Sequence, residues 1–337
     1  MVQSAVPLQG GGRPRPAGFN SATRLKRFQL PALSKTANAA QVTLRQDLPR
    51  VGLLSRIYLA ISATVSGTLS NQNTLGAASI INRVRLRANN AITIFDVSGP
   101  GYHYLLRDAL EFEGYDPLSH TTARSAVSAT TFVLDMVIPV AVNLRDPIGL
   151  ILLQNEQTLL TLEVVCEADG TVATGASVTA TVTPYMEVFT VPPDPQDWPP
   201  LDLVHQILEE TQSVTGSADV TYQWPRGNTY LQVIHGAGIA QSGTDQWTAA
   251  KLRVNQSDYL ENLTTGLADL NYTFTHGRAR LKGQIFWDFM ASSGLGNYNL
   301  TRDLINSALV TDLATVITPS SLSTLYTIRR QLVPLNG

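Results

Sequence analysis

Five histidines, one cysteine and 26 carboxylates are the groups in this 337-residue sequence that could carry acid–base, nucleophilic or metal chemistry. They do not converge. His103, His120, His205, His235 and His276 are scattered, with none of the short spacings that bring ligands onto one metal ion. There is no H-E-x-x-H, no phosphate-binding P-loop and no G-x-S-x-G nucleophile turn. Gly236-Ala237-Gly238 lacks the strand–helix context of a dinucleotide loop and reads as a bulge or bend. Cys166 sits in the apolar run LLTLEVVCEA and reads as a small buried hydrophobe; standing alone, it excludes an intramolecular disulfide. In QIFWDFM, Trp287 shares a face with Ile285 and Phe289 and reads as core, while Asp288 points the other way as a lone carboxylate. Asp303 beside Arg302 reads as a local ion pair. No catalytic, cofactor-binding or metal-ligating residue is expected, and no enzyme.

The charge pattern says more. Charged residues make up only 15% of the chain, below the usual quarter or so. Much of the surface is then expected to be covered by something other than water, such as neighbouring subunits. The net charge of −2 is unevenly spread. The first fifty residues hold Arg13, Arg15, Arg24, Lys26, Arg27, Lys35, Arg45 and Arg50 against Asp47 alone, so a basic arm precedes an acidic body. Arg83, Arg85 and Arg87 alternate with Val84 and Leu86 and would line one exposed strand face. No interleaved aromatic platform accompanies them, so subunit or domain contact is favoured over nucleic acid.

The elements that carry these residues are mostly strands. Residues 1–20, rich in glycine and proline, read as flexible arm, and Ser21–Ala40 as a short helix broken at Pro31 with Leu25, Phe28 and Leu30 as a docking face. In VGLLSRIYLAISATV, Val51, Leu53, Ile57, Leu59, Ile61, Ala63 and Val65 alternate with mainly polar residues, the period of a half-buried strand. Strands follow near Ile80–Arg87 and Ala91–Val97, joined by a tight turn at Ala88-Asn89-Asn90. A short helix from Tyr104 to Phe112 ends near Gly114, and strands are expected at Thr131–Val140, Leu150–Leu153, Thr158–Glu167 and Ser177–Val191. Then comes VPPDPQDWPPLDL, with five prolines in thirteen residues, which cannot be a regular core element and reads as an extended strap. The second half repeats the layout. A short helix is expected at Leu201–Gln212 and another at Asp258–Leu270. Strands are expected at Ala218–Gln223, Thr229–Ile239, Thr248–Val254, Leu281–Phe289, Ile305–Leu313 and Ser323–Leu332. The expected organisation is an arm (1–50), a β-sandwich (51–190), a proline-rich linker (191–203) and a second β-sandwich (204–337). No apolar leader segment is seen at the N-terminus and no run is long enough to span a membrane, so folding in a cytoplasm is the expectation.

Four passages resemble one family: IINRVRLRANNAITIFDVSGPGYHYLL, QTLLTLEVV, PPLDLVHQILEETQSVTGSADVTYQWPRGNTYLQVI and KGQIFWDFMASSG. They are similar to the double jelly-roll major capsid proteins of tailless, membrane-containing icosahedral bacteriophages, tectivirus-like relatives of the adenovirus hexon. The resemblance covers Val51 to Pro334 and is one of layout more than motif. It implies an all-β chain of two tandem eight-stranded jelly rolls with short inserted helices and a flexible basic N-terminal arm. It implies a homotrimer forming a pseudo-hexagonal capsomer that tiles an icosahedral shell, assembled in the host cytoplasm. The implied partners are the chain itself, neighbouring trimers, internal membrane lipids, and minor and vertex proteins, with no sequence-specific nucleic acid. The arm residues Arg13, Arg15, Arg24, Lys26, Arg27 and Lys35 would face the membrane or neighbouring capsomers, and because the arm lacks core-forming periodicity, deleting Met1–Lys35 is expected to leave a folded trimer but impair shell or membrane assembly. Two alternatives stand beside this: a virion spike or carbohydrate-binding β-sandwich, and a double jelly-roll glycan hydrolase.

Overall fold

The computed structural model describes Phe19 and residues 22–110, 122–142, 148–215, 218–239, 244–277, 279–290 and 304–334. The first half runs β1 (Leu25–Gln29), β2 (Leu33–Lys35), β3 (Val42–Asp47), β4 (Leu53–Ser66), β5 (Ser70–Gln72), β6 (Ile81–Ala88) and β7 (Ile92–Val97). A continuous helical segment, α1, follows; it joins Gly99–Gly101, a wider π turn at Tyr102–Leu106, and Arg107–Ala109. After it come β8 (Thr131–Val133), β9 (Met136–Pro139), β10 (Ile151–Leu152), β11 (Leu160–Cys166), β12 (Ala173–Thr174) and β13 (Ser177–Phe189). The second half runs β14 (Leu203–Ser213), β15 (Val220–Gln223), β16 (Thr229–Ala237), β17 (Trp247–Val254), β18 (Ser257–Thr264), the helix α2 (Thr265–His276), β19 (Gln284–Asp288), β20 (Ile305–Asn306), β21 (Leu313–Pro319) and β22 (Thr324–Pro334).

The strands form two sandwiches that share a sheet. In the first roll, β1 and β2, then β13, β4 and finally β8, β9 and β10 make one layer; β3, β11, β6 and β7 make the other. In the second roll, β14, β22, β16 and β19 face β15, β21, β17 and β18. The order is the same in both: first strand, last strand, third strand, strand after the helix. The rolls join where β14 pairs in parallel with β7, at Ile207 opposite Phe95 and Leu208 opposite Asp96. One sheet therefore runs β19-β16-β22-β14-β7-β6-β11-β3 across the molecule.

Local sequence explains much of this. On β4 the alternating set Ile57, Leu59, Ile61, Ala63 and Val65 is buried in one cluster with Val84, Leu86 and Val164 of the opposite layer. Asn89 and Asn90 both have positive φ (52° and 56°), the geometry of a two-residue hairpin turn that asparagine tolerates. Pro31 removes an N–H and splits the first strand of roll one into β1 and β2. The second core gathers Trp224, Trp247, Trp287, Phe289 and Tyr230. The strap turns once at Pro195–Asp197 and is pinned by the Trp198 indole donating to the Pro192 carbonyl at 3.0 Å.

Three expectations fail for one reason. Ser21–Ala40 is not helical: β1 and β2 pair with β13, and Leu30 is buried in the first core. Leu201–Gln212 is the strand β14, paired with β22 over eleven residues, although Gln206, Leu208, Glu209 and Glu210 favour helix. In 258–270 the first part is β18 and the helix begins at Thr265, capped by the Thr264 hydroxyl. Strand pairing outweighs intrinsic propensity in each case, with the distant β13 and β22 for the first two and with the adjacent β17, across the Asn255-Gln256 turn, for β18. Near residue 305 the strand is only β20, followed by a tight turn at Ser307–Leu309.

Candidate functional site

The six arm residues part company in the structure. Arg13 and Arg15 lie outside the described residues. Arg24 and Lys26 are exposed at the start of β1, an edge strand of the first layer. Arg27 is also exposed, with its guanidinium 3.4 Å from Glu187. That buried carboxylate is held by Arg56 at 3.3 Å and by the Tyr58 hydroxyl, which donates to it at 3.0 Å. Burial raises the Tyr58 pKa, against the pull of Arg56. Lys35, unlike Arg24, Lys26 and Arg27, is not at the surface. It is 2% exposed, with its ammonium 2.5 Å from Asp169 and donating to the Val178 carbonyl at 2.8 Å. It is a core ion pair of the first roll and cannot reach a lipid or a neighbouring capsomer. With β1, β2 and β3 inside roll one, the segment 25–47 is sheet rather than arm.

The arginine stripe on β6 is half-buried, not open. Arg83 contacts Asp96 at 2.9 Å and Glu209 at 3.3 Å, Arg85 contacts Asp96 at 3.3 Å, and Arg87 lies 3.9 Å from Glu163. Glu209 belongs to β14, so Arg83 ties the two rolls together. The Glu209 carboxylate also accepts from the Ser98 backbone N–H, and from the Ser98 hydroxyl at 2.8 Å. Ser98 in turn caps α1 by accepting from the Gly101 N–H. A Cβ at Gly101 would sit 2.6 Å from a Glu209 oxygen, so any side chain here would have to displace that carboxylate.

Beyond this contact, α1 lies across the second roll. Leu105 closes on Gly236 of β16, where a Cβ would stand 2.8 Å from its methyl groups. The Tyr104 carbonyl accepts from the Gln284 amide of β19 at 2.5 Å, and the Ala109 carbonyl from Arg330 of β22 at 3.5 Å. Ile234 and Ile328 are buried under it, in one cluster with the first core. The other helix, α2, differs. Ala268 and Tyr272 face inward, but Leu267, Leu270 and Phe274 are exposed, the last by 83%. Their i, i+3, i+7 spacing is one face. That spacing is legible in the sequence, but ending the expected helix at Leu270 leaves Phe274 out of the pattern.

Burial raises the Glu209 pKa above the ordinary 4.5, outweighing the Ser98 N–H, Arg83 and the Ser98 hydroxyl, which lower it; Asp96 adds a weaker upward push. A raised folded-state value means that the contribution is fully present below the unfolded pKa and is lost as pH rises through the folded one. Urea denaturation is therefore expected to show wild type gaining stability relative to Glu209→Gln as pH falls from neutrality toward 4.5. A difference that stays constant with pH would refute the assignment.

The groups with chemical potential are placed as structure. The His235 ring lies 2.9 Å from both Thr327 and Thr315, and burial pushes its pKa down to about 3. Burial and Arg330 hold His205 well below the usual imidazole value. Burial pushes the Cys166 thiol up to about 11. His276 Nε2 lies 3.6 Å from Asp288, whose carboxyl is raised by burial. His120 and Asp303 lie outside the described residues. Among the described residues, no three His, Cys, Asp or Glu side chains gather as a metal site would require, and no helix is long and apolar enough to cross a membrane.

No family model and no curated protein matches the sequence. Solved structures match its architecture. The major capsid protein of STIV, the Sulfolobus turreted icosahedral virus, superposes with a TM-score of 0.68 at 12% identity, over 93% of this chain and 97% of that one. The capsid chain of PBCV-1 virus gives 0.64 at 11% identity, over 92% and 93%. The major capsid protein P2 of bacteriophage PM2 gives 0.55 at 13% identity, over 93% and 100%. With the same strand order in both rolls and one sheet running through them, the chain is a double jelly roll, the fold of these viral major capsid proteins.

Proposed function

We propose that this chain is a structural major capsid protein, acting in the virion shell and not as an enzyme. The observation that carries the reading is the extent of the likeness. It spans both rolls and more than nine-tenths of both this chain and the STIV and PBCV-1 capsid chains. In this reading three chains form a pseudo-hexagonal capsomer, and capsomers tile an icosahedral facet over an internal membrane, meeting minor and vertex proteins at its margins. The scarcity of charge supports extensive subunit contact. The test is the solution mass of the purified protein by light scattering, with negative-stain imaging of the same peak. A species of three 36.5 kDa chains with a hexagonal outline is expected; a monodisperse monomer would overturn the proposal.

Arg13, Arg15, Arg24, Lys26 and Arg27 are the proposed contacts to anionic lipid head groups or neighbouring capsomers, each worth on the order of 1 kcal/mol near an anionic surface. Lys35, buried in roll one, is not among them. Deleting residues 2–18 is expected to leave the thermal unfolding of the rolls unchanged and to reduce flotation with phosphatidylserine vesicles. Extending the deletion through Lys35 removes β1, β2 and the Asp169 partner, and is expected to unfold roll one. Equal flotation of full-length and 2–18-deleted protein would refute the membrane role of the segment.

A further inference from the structure

The two helices occupy the same connection in the two rolls. α1 follows β7 and precedes β8 and β9; α2 follows β18 and precedes β19. Their surroundings are opposite. α1 is buried because it lies on the β22–β16–β19 face of the next roll in the chain. Among the described residues no second roll lies on α2, and its stripe of Leu267, Leu270 and Phe274 is open.

The face equivalent to the one beneath α1 is equally open. By strand order, β13 and β4 of roll one correspond to β22 and β16 of roll two. Ala60, Ser62, Thr64, Thr179, Thr181 and Tyr185 point outward there and are exposed. No outward position from Tyr58 to Thr64 on β4, or from Thr179 to Tyr185 on β13, is charged. A solvated sheet face ordinarily carries charge, whereas the centre of an interface is depleted of it and accepts tyrosine.

We infer that the α2 stripe of one chain docks on the outer β4–β13 face of a second copy, repeating between chains the contact that α1 makes within one. A second copy is the occupant because the docking continues an interface already built into the fold, helix of one roll on the equivalent sheet of the next. Charge agrees within that window: the α2 stripe and the outward positions named above are uncharged, and Glu187 at the edge of the face is already paired with Arg56 and Arg27. The two patches are different, so the association is head-to-tail, and it ends only by closing into a ring. The inference rests on the capsomer proposed above, in which three chains supply the six rolls of the ring.

Two variants test it by light scattering over a dilution series. One is Leu270→Asp with Phe274→Asp on α2; the other is Ser62→Arg on β4. All three positions are solvent-exposed, so each variant is expected to keep the wild-type circular dichroism spectrum. Leu270→Gln with Phe274→Gln replaces the aspartate pair if that pair fails to fold. The expected result is a wild-type trimer and, for each variant, dissociation at a concentration raised about a hundredfold. A wild-type trimer with either variant unshifted would overturn the docking while leaving the capsomer proposal standing. A wild-type monomer would overturn both.

Discussion

Replacing Lys35 with alanine is expected to destabilise the first roll by about 3–5 kcal/mol, the cost of leaving one partner of a buried ion pair uncompensated. The ammonium is buried against Asp169 at 2.5 Å, and Asp169 uses its other oxygen to accept the Asn38 backbone N–H at 2.9 Å. Removing the lysine strands a carboxylate that has little water to turn to. Lys35→Met keeps the aliphatic stem and is expected to cost less than alanine but still several-fold more than a surface change. Combining Lys35→Met with Asp169→Asn is expected to recover part of the loss, because the uncompensated charge goes with its partner. The measurement is urea unfolding followed by far-ultraviolet circular dichroism. A cost below about 0.5 kcal/mol, typical of an exposed side chain, would return Lys35 to the surface and restore its place among the arm residues.

Trp287→Ala is expected to cost about 3–5 kcal/mol in the second roll, through lost apolar transfer and the cavity left behind. Trp287 is 3% exposed on β19, opposite Val233 of β16, within the cluster that holds Trp224, Trp247 and Phe289. The four tryptophans make the effect local to read. Trp198 lies in the strap, and the other three lie in roll two. Fluorescence of the remaining tryptophans therefore follows the second roll, while circular dichroism follows both. The variant is expected to shift the fluorescence transition to lower denaturant more than the dichroism transition. An unshifted fluorescence transition would mean that the β19 register, and with it the placement of Asp288 near His276, is wrong.

These two residues show where sequence is informative and where it is not. Trp287 is legible because its neighbours Ile285 and Phe289 repeat at the period of a strand. The same reasoning locates β4, the Asn89-Asn90 turn, buried Cys166 and the proline strap, all of which depend on residues adjacent in the chain. Lys35 is not legible, since Asp169 is 134 residues away. The same holds for Glu209, whose partner Ser98 is 111 residues distant, and for Arg83, which reads as a surface residue until β14 is placed beside β7. β1 shows no buried face of its own, and β14 carries helix-favouring residues; both are strands because β13 and β22 pair with them.

An all-β chain of two sandwiches joined by a strap, poor in charge, is legible from composition and residue spacing alone. That the sandwiches share one sheet, that part of the basic segment is core, and that one helix is covered while its counterpart is bare emerge from long-range pairing. Periodicity reports which side of a residue's own strand or helix is apolar. What lies against that side is set by backbone pairing and burial between segments more than a hundred residues apart, and that information is not carried by spacing along the chain.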